Sequence, residues 1–152
     1  MEIVAKNGTG FKVKGKNMTI TSDPVGKSLL IAGPDRPDFN IPGPGEYEIG
    51  GVDVFAGNDV YRVIIDDVSV CFLATKSNLD KIGNIDILIV GALLDSETIT
   101  KLEPLVVIPI GSEEEKAKFI KELGRDGITA QPKLSISKEK LPEEMAVYLL
   151  SC

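Results

Sequence analysis

The sequence predicts an α/β or α+β fold: two stacked β-sheets with few outer helices, in one domain spanning residues 1–152. The first half consists of short apolar segments separated by turn residues, which is typical of antiparallel strands. The second half contains two continuous apolar runs, which are typical of strands buried on both faces. A length of 152 residues suits one hydrophobic core.

Four short strands are predicted first, at Ile3–Lys6, Gly10–Lys14, Asn17–Ser22 and Ser28–Ala32. Turns rich in glycine and asparagine separate the first three. The stretch Gly33–Gly45 is rich in proline and glycine, so we expect neither a regular helix nor a central strand there.

Two hairpins follow. Their strands are Glu46–Ile49 with Val52–Ala56, joined by two glycines, and Val60–Ile65 with Val68–Leu73, joined by two aspartates. Gly43, Gly45 and Gly51 recur beside Pro42 and Pro44. We therefore expect backbone angles at these glycines that a side chain would strain.

The later strands are predicted at Ile85–Val90 and Leu105–Ile110, with a short helix, Asp95–Leu102, between them. A second helix begins after Ser112 and runs to Leu123, because serine followed three residues later by glutamate is a capping box. This order predicts a right-handed parallel unit. A last strand is predicted at Met145–Ser151.

Charge and composition exclude several partners. The net charge of −6 and the 5% aromatic content disfavour nucleic acids and anionic membranes. Lys12, Lys14 and Lys16 alternate along a predicted strand, so we expect one solvated face. No apolar run is long enough to span a bilayer, and no signal peptide is recognisable, so we expect a cytoplasmic protein.

The chain has no histidine, which removes histidine-dependent zinc chemistry. A Ser-His-Asp triad is impossible, and Ser112 is explained by its capping role, although a Ser–Lys dyad stays open. Cys71 lies in an apolar strand and is interpreted as inert core. We expect reduced thiols, since two cysteines do not make a disulfide framework.

The other polar motifs are interpreted structurally. Asp66 and Asp67 lie in a tight turn, and Glu46 and Glu48 share a strand face, but no calcium-loop pattern accompanies them. The segment 26–28, Gly-Lys-Ser, lacks the upstream glycine of a phosphate-binding loop and is interpreted as a turn. Tyr47 is expected to pack its ring while its hydroxyl group finds a backbone partner.

Residues 41–52, Ile-Pro-Gly-Pro-Gly-Glu-Tyr-Glu-Ile-Gly-Gly-Val, resemble the PGEYE-x-x-G-V segment of small prokaryotic metallo-β-lactamase-fold proteins. That group includes zinc-dependent, ascorbate-6-phosphate lactonase-like hydrolases. Residues 9–24, the two apolar runs and residues 131–144 are similar to the same group, so the resemblance covers nearly the whole chain. It implies a truncated metallo-β-lactamase-like β-sandwich with few outer helices.

The departures from that family concern its metal site. Catalysis there depends on an H-x-H-x-D-H loop, further histidines and a bridging aspartate. Here the loop after Asp23 looks deleted, Thr75 stands where the bridging aspartate would be, and Gly111 stands where the last histidine would be. Only Asp23, an orienting position, remains. The resemblance therefore implies no catalytic, cofactor-binding or metal-binding residues and no cofactor.

The leading hypothesis is a non-catalytic pseudo-hydrolase that acts as a self-associating or partner-binding scaffold. The alternative is a hydrolase with a rearranged site built from carboxylates or a thiol. Loss of the metal loop should expose apolar surface near Leu29–Ile31 and Val60–Leu73, which predicts a homo-oligomer. The competing possibility is that Gly33–Gly45 folds back over this surface within one chain.

Overall fold

The computed structural model describes residues 1–6, 8–76, 79, 82–92, 94–125 and 127–151. Thirteen strands, two α-helices and one 3₁₀ turn (Lys138–Lys140) are present in these residues. The strands are β1 Glu2–Lys6, β2 Gly10–Lys14, β3 Thr19–Ser22, β4 Leu30–Ala32, β5 Phe39–Asn40, β6 Gly45–Ile49, β7 Val52–Gly57, β8 Val60–Ile65, β9 Val68–Leu73, β10 Ile87–Gly91, β11 Val106–Ile110, β12 Leu134–Ser135 and β13 Ala146–Val147. The helices are α1 Ser96–Leu102 and α2 Glu113–Glu122.

The strands form two sheets, as the alternation of segments predicted. The first sheet is antiparallel, with the order β12-β1-β2-β3-β4-β5. The second sheet has the order β13-β11-β10-β9-β8-β7-β6. Its β6–β9 half is antiparallel, and β9, β10, β11 and β13 run parallel. The α+β prediction is therefore confirmed.

The main core lies between the sheets. Strand residues alternate between the core and the outside in the first sheet, where Ile3, Val13 and Ile20 are buried and their strand neighbours are more exposed. They join the same apolar cluster as Phe72 and Ile89 of the second sheet. Burial of such side chains contributes roughly 1.5–3 kcal/mol each, so this cluster is the main source of stability.

A second apolar cluster covers the outer face of the second sheet. Leu88 and Val107 from the parallel strands pack there with Ile99 of α1 and with Phe119 and Ile120 of α2. Both faces of the parallel strands are thus buried, which explains their continuous apolar sequence.

Both helices begin where their caps predict. The Asp95 carboxylate accepts from the Thr98 amide at 2.7 Å, and this hydrogen bond lowers the pKa of Asp95. Ser112 and Glu115 form the predicted capping box, with distances of 3.1 Å and 2.8 Å between side-chain oxygens and backbone amides. Among the described residues, none of the helices has the length and apolar character needed to cross a membrane.

Several local predictions were wrong. The predicted strand Met145–Ser151 is reduced to β13, with a single further bridge between Gln131 and Leu150. Gly45 and Gly51 have positive φ, but Gly43 does not, and a side chain added at Gly43 would meet nothing within 4 Å. The strain expected at Gly43 is therefore not supported.

Most of the region predicted to carry bared apolar surface is buried, and Leu30 is the half-buried exception in Leu29–Ile31. Leu29 and Ile31 are buried within one chain, and so are nearly all apolar side chains of the β8–β9 hairpin. The proline- and glycine-rich stretch provides part of the cover: β5 pairs with β4, and the Ile41 amide donates to the Leu29 carbonyl at 3.0 Å. Enough donors remain between the prolines to extend the sheet by one short edge strand.

Candidate functional site

The parallel strands of the second sheet end together at one edge, and a cleft of about 260 Å³ lies there. Ligands of sheets with parallel strands commonly bind at such carboxyl ends. The cleft lies beside Thr75 after β9, Gly91 at the end of β10 and Gly111 after β11. The loops after β1 and β3 complete the lining with Gly8, Thr9, Pro24, Val25 and Lys27.

Thr75 and Gly111, which the sequence singled out separately, therefore line the same cleft. Gly111 leaves little space for a larger residue. A Cβ atom at this position would lie 3.2 Å from the Ala92 Cβ and 2.9 Å from a Glu115 carboxylate oxygen. That carboxylate is already held by the capping box, so the neighbours cannot move freely. A histidine at this strand end would disturb the packing of α2 on the sheet.

Thr75 is engaged by a residue that the sequence did not single out. Its hydroxyl group donates to the Asp59 carboxylate at 3.1 Å, and the Lys27 ammonium group contacts the other Asp59 oxygen at 2.8 Å. The hydrogen bond from Lys27, with a smaller contribution from Thr75, lowers the pKa of Asp59. Asp59 therefore stays ionised, and both of its oxygens already have partners.

The Lys27 loop is pressed tightly against the end of β9. Gly26 has a φ of 79°, and a Cβ atom there would lie 2.5 Å from the Ala74 backbone nitrogen. The Ser22 hydroxyl group holds the same loop by accepting from the Gly26 amide at 2.9 Å. Only glycine allows this approach, so Gly26 positions Lys27 next to Asp59.

Asp23 lies beside the cleft, between the lining residues Thr9 and Pro24. Its Oδ1 atom accepts a hydrogen bond from the Thr9 hydroxyl group at 2.6 Å, and its backbone carbonyl accepts from the Ser28 hydroxyl group at 2.9 Å. Asp23 and Asp59 are thus each bound to neighbouring side chains. The two carboxylates contribute to packing between loops.

A zinc ion of the kind used by the resembled family does not fit this edge. The chain has no histidine, and the described residues contain no group of three or more cysteine, aspartate or glutamate side chains placed to hold a metal ion. The two nearby carboxylates are held by hydroxyl and ammonium groups. Zinc requires about four N, S or O donors, and this edge supplies too few.

The remaining residues considered from sequence lie apart from the cleft. Cys71 is buried, and burial raises the pKa of its thiol to about 12, so it is an inert core residue. Asp66 and Asp67 form a turn with φ of 50° and 64°. Tyr47 donates to the Gly43 carbonyl at 2.7 Å, as predicted. Its ring lies 6.3 Å from that of Phe39.

Ser112 caps the N-terminus of α2, as predicted. The nearby Lys116 ammonium group contacts the Glu113 carboxylate at 3.2 Å. In the described part of the chain no hydrogen bond joins Ser112 to a lysine, so nothing here supports the Ser–Lys dyad. The segment 26–28 forms a turn, as predicted, and Glu46 and Glu48 are both exposed on β6.

Comparisons with known proteins identify no relative: no family model, no curated protein and no solved structure matches the chain.

Proposed function

We propose that this chain is a non-catalytic scaffold of the metallo-β-lactamase type, which acts by binding a protein, in the first place another copy of itself. The family assignment is supported by the resemblance of residues 41–52 and by the two stacked sheets with helices over one of them.

One observation carries the non-catalytic part of the proposal. At the strand ends, where the family would hold its metal, Asp23 is bonded to Thr9, and Asp59 is bonded to Lys27 and Thr75. A general base or metal ligand needs a lone pair that can reach substrate or metal. Beside this cleft, Asp23 Oδ1 and both Asp59 carboxylate oxygens join loops instead.

The proposal predicts that the purified protein binds no stoichiometric zinc and does not hydrolyse phosphodiesters or lactones. The test is elemental analysis after washing with a moderate concentration of chelator, with assays on generic phosphodiester and lactone substrates. About one zinc per chain would contradict the proposal.

The alternative, a hydrolase with a rearranged site, makes the opposite prediction and can be localised. Activity that is lost in Asp59→Asn or Asp23→Asn, and retained in Asp53→Asn, would favour it. Asp53 is an exposed residue of β7 and serves as the matched control.

The binding part of the proposal rests on the outer face of the first sheet. The helices cover only the second sheet, whereas Val4, Leu30 and Ala32 are half-buried on the outer face of the first. Phe39 of the edge strand β5 is the one large apolar side chain in the described residues that is classed as exposed, at 37%. A second copy could cover this face, since homo-oligomers are mostly two-fold symmetric.

Sedimentation velocity at micromolar concentration tests self-association. We expect a dimer for the unaltered chain and a monomer for Leu30→Lys, because a lysine would place a charge in the contact. Lys118→Glu, on the exposed side of α2, is the control and should remain dimeric. A monomer for the unaltered chain would show that self-association is not its function.

A further inference from the structure

A second cleft, of about 390 Å³, lies at one end of the outer face of the first sheet. We call it the lysine cleft. It is lined by Met1, Glu2, Lys14, Gly15, Lys16, Ser135, Ile136, Ser137 and Lys140. The cleft involves none of the residues of the strand-end cleft.

The register of the first sheet brings part of this lining together. Glu2 of β1 lies directly between Lys14 of β2 and Ser135 of β12. Their neighbours Ile3, Val13 and Leu134 are buried in the core, so this row points outward. Lys16 comes from the β2–β3 turn and Lys140 from the 3₁₀ turn, and both close the row at one end.

The lining of this cleft carries more ammonium groups than carboxylates. Its one lining carboxylate, Glu2, contacts Lys133 at 2.9 Å, and this hydrogen bond lowers the pKa of Glu2. Within the described residues, the ammonium groups of Lys14, Lys16 and Lys140 have no carboxylate within 4.0 Å. Two carboxylates lie beside the cleft without pairing with these groups: Asp66 accepts from the Lys16 backbone amide at 2.9 Å, and Glu139 is near Lys16 and Lys140. Like charges held around a concave surface attract an anion, because each ammonium group otherwise repels the others.

From the sequence, the alternation of Lys12, Lys14 and Lys16 predicted a solvated strand face. Lys12 and Lys14 are indeed both exposed on the same face of β2. What the sequence does not reveal is that Lys140, more than a hundred residues away, shares a cleft with two of them. An excess of cations in one cleft is unusual in a chain with a net charge of −6.

We propose that the lysine cleft binds a small phosphate-bearing anion. Its donors are ammonium groups and the Ser135 hydroxyl group, which approach from separate elements. Lysines act as point charges that suit a tetrahedral oxyanion, whereas a planar carboxylate is matched best by the fork of an arginine, and no arginine lines this cleft. The acidic net charge disfavours a long polyanion, because the rest of the surface would repel it.

The test is a titration of the folded protein with pyrophosphate, followed by NMR. We expect saturable shifts of the Gly15, Ser135 and Lys140 amides that weaken as salt is added. The variant Lys14→Gln/Lys140→Gln should bind about tenfold more weakly, as expected for two exposed ion pairs. The control Lys118→Gln/Lys121→Gln removes the same charge from the exposed side of α2 and should bind as the unaltered chain does.

Three results would overturn the proposal. Equal weakening in the two double variants would mean that only net charge matters. Citrate binding as tightly as pyrophosphate would remove the preference for phosphate. Tighter binding of a single-stranded oligonucleotide would replace the small ligand by a nucleic acid. All four lysines are exposed, so circular dichroism and melting should confirm that both variants fold. The result is independent of the zinc and sedimentation tests.

Discussion

The two sheets differ in how many of their faces are covered. The second sheet has one face in the sandwich core and the other under α1 and α2. The first sheet has one face in the core, and the other carries lysines, threonines and half-buried aliphatic residues. Stability should therefore depend most on the second sheet, and binding on the first, because a face that is already buried cannot recognise a partner.

The largest expected effect comes from comparing substitutions of two leucines, one in each sheet. Leu88 is fully buried between the second sheet and its helices, and Leu30 is half-buried on the outer face of the first sheet. Leu88→Ala should lower the free energy of unfolding by about 2–5 kcal/mol. Leu30→Ala should cost about 1 kcal/mol, because only part of its area leaves water.

Urea unfolding of both variants measures this difference. Similar decreases in the free energy of unfolding would contradict the difference between the sheets. They would indicate that the outer face of the first sheet is covered in solution. If a second copy provides that cover, the midpoint of unfolding should rise with protein concentration.

The next test concerns the edge of the second sheet. Gly51, in the β6–β7 turn, has a φ of 85°, whereas Gly43 has no positive φ, and an added side chain would meet no atom within 4 Å at either site. Gly51→Val should cost on the order of 1–3 kcal/mol through backbone strain alone. Gly43→Val is the matched control and should melt within a degree or two of the unaltered chain, roughly the effect of a neutral surface change.

Equal melting of the two glycine variants would show that the hairpin relaxes around the substitution. A large effect at Gly43 would instead indicate a contact made by another chain, since this chain offers none there.

The smallest effect on stability is expected at the ion pair that connects the two sheets. Lys27 belongs to the β3–β4 loop of the first sheet, and Asp59 and Thr75 belong to the second. Asp59→Asn should weaken this connection slightly at neutral pH, since both partners are well exposed. The lowered pKa of Asp59 makes its contribution present above its ordinary pKa of 3.8 and lost as the pH falls through the folded-state value.

The measurement is the difference in urea midpoint between the unaltered chain and Asp59→Asn at pH 7 and near pH 2–3, the range below an ordinary aspartate pKa. The difference should shrink on acidification, because the protonated carboxyl group no longer attracts Lys27. A difference that does not change with pH would mean that Asp59 acts through packing or neutral hydrogen bonds.

Most strands and both helices could be predicted from local sequence, because their causes are local. Turn residues separate β1, β2 and β3, and paired glycines or aspartates join the two hairpins. The capping box at Ser112 marks the start of α2 from four residues alone. The errors occurred at β5, β12 and β13, two-residue strands whose existence depends on the strand beside them.

Burial of the expected bare surface could not be predicted in the same way. Leu29 and Ile31 are buried in the core between the sheets, where Ile41 of the Gly33–Gly45 stretch joins them. The composition of that stretch indicated only that it would be irregular. A local sequence pattern predicts which apolar residues must be buried. The direction in which a loop turns, however, depends on the rest of the fold.

The sequence by itself determined that histidine chemistry is absent: with no histidine in the chain, neither a histidine-ligated metal nor a Ser-His-Asp triad can form from it. The tertiary structure decided which charges meet. Asp59 reaches Lys27 and Thr75 across the sandwich edge, and Lys140 joins Lys14 and Lys16 in one cleft. Such groups are far apart in the chain, and Coulomb forces depend on their separation in space, which only the packing of the sheets sets.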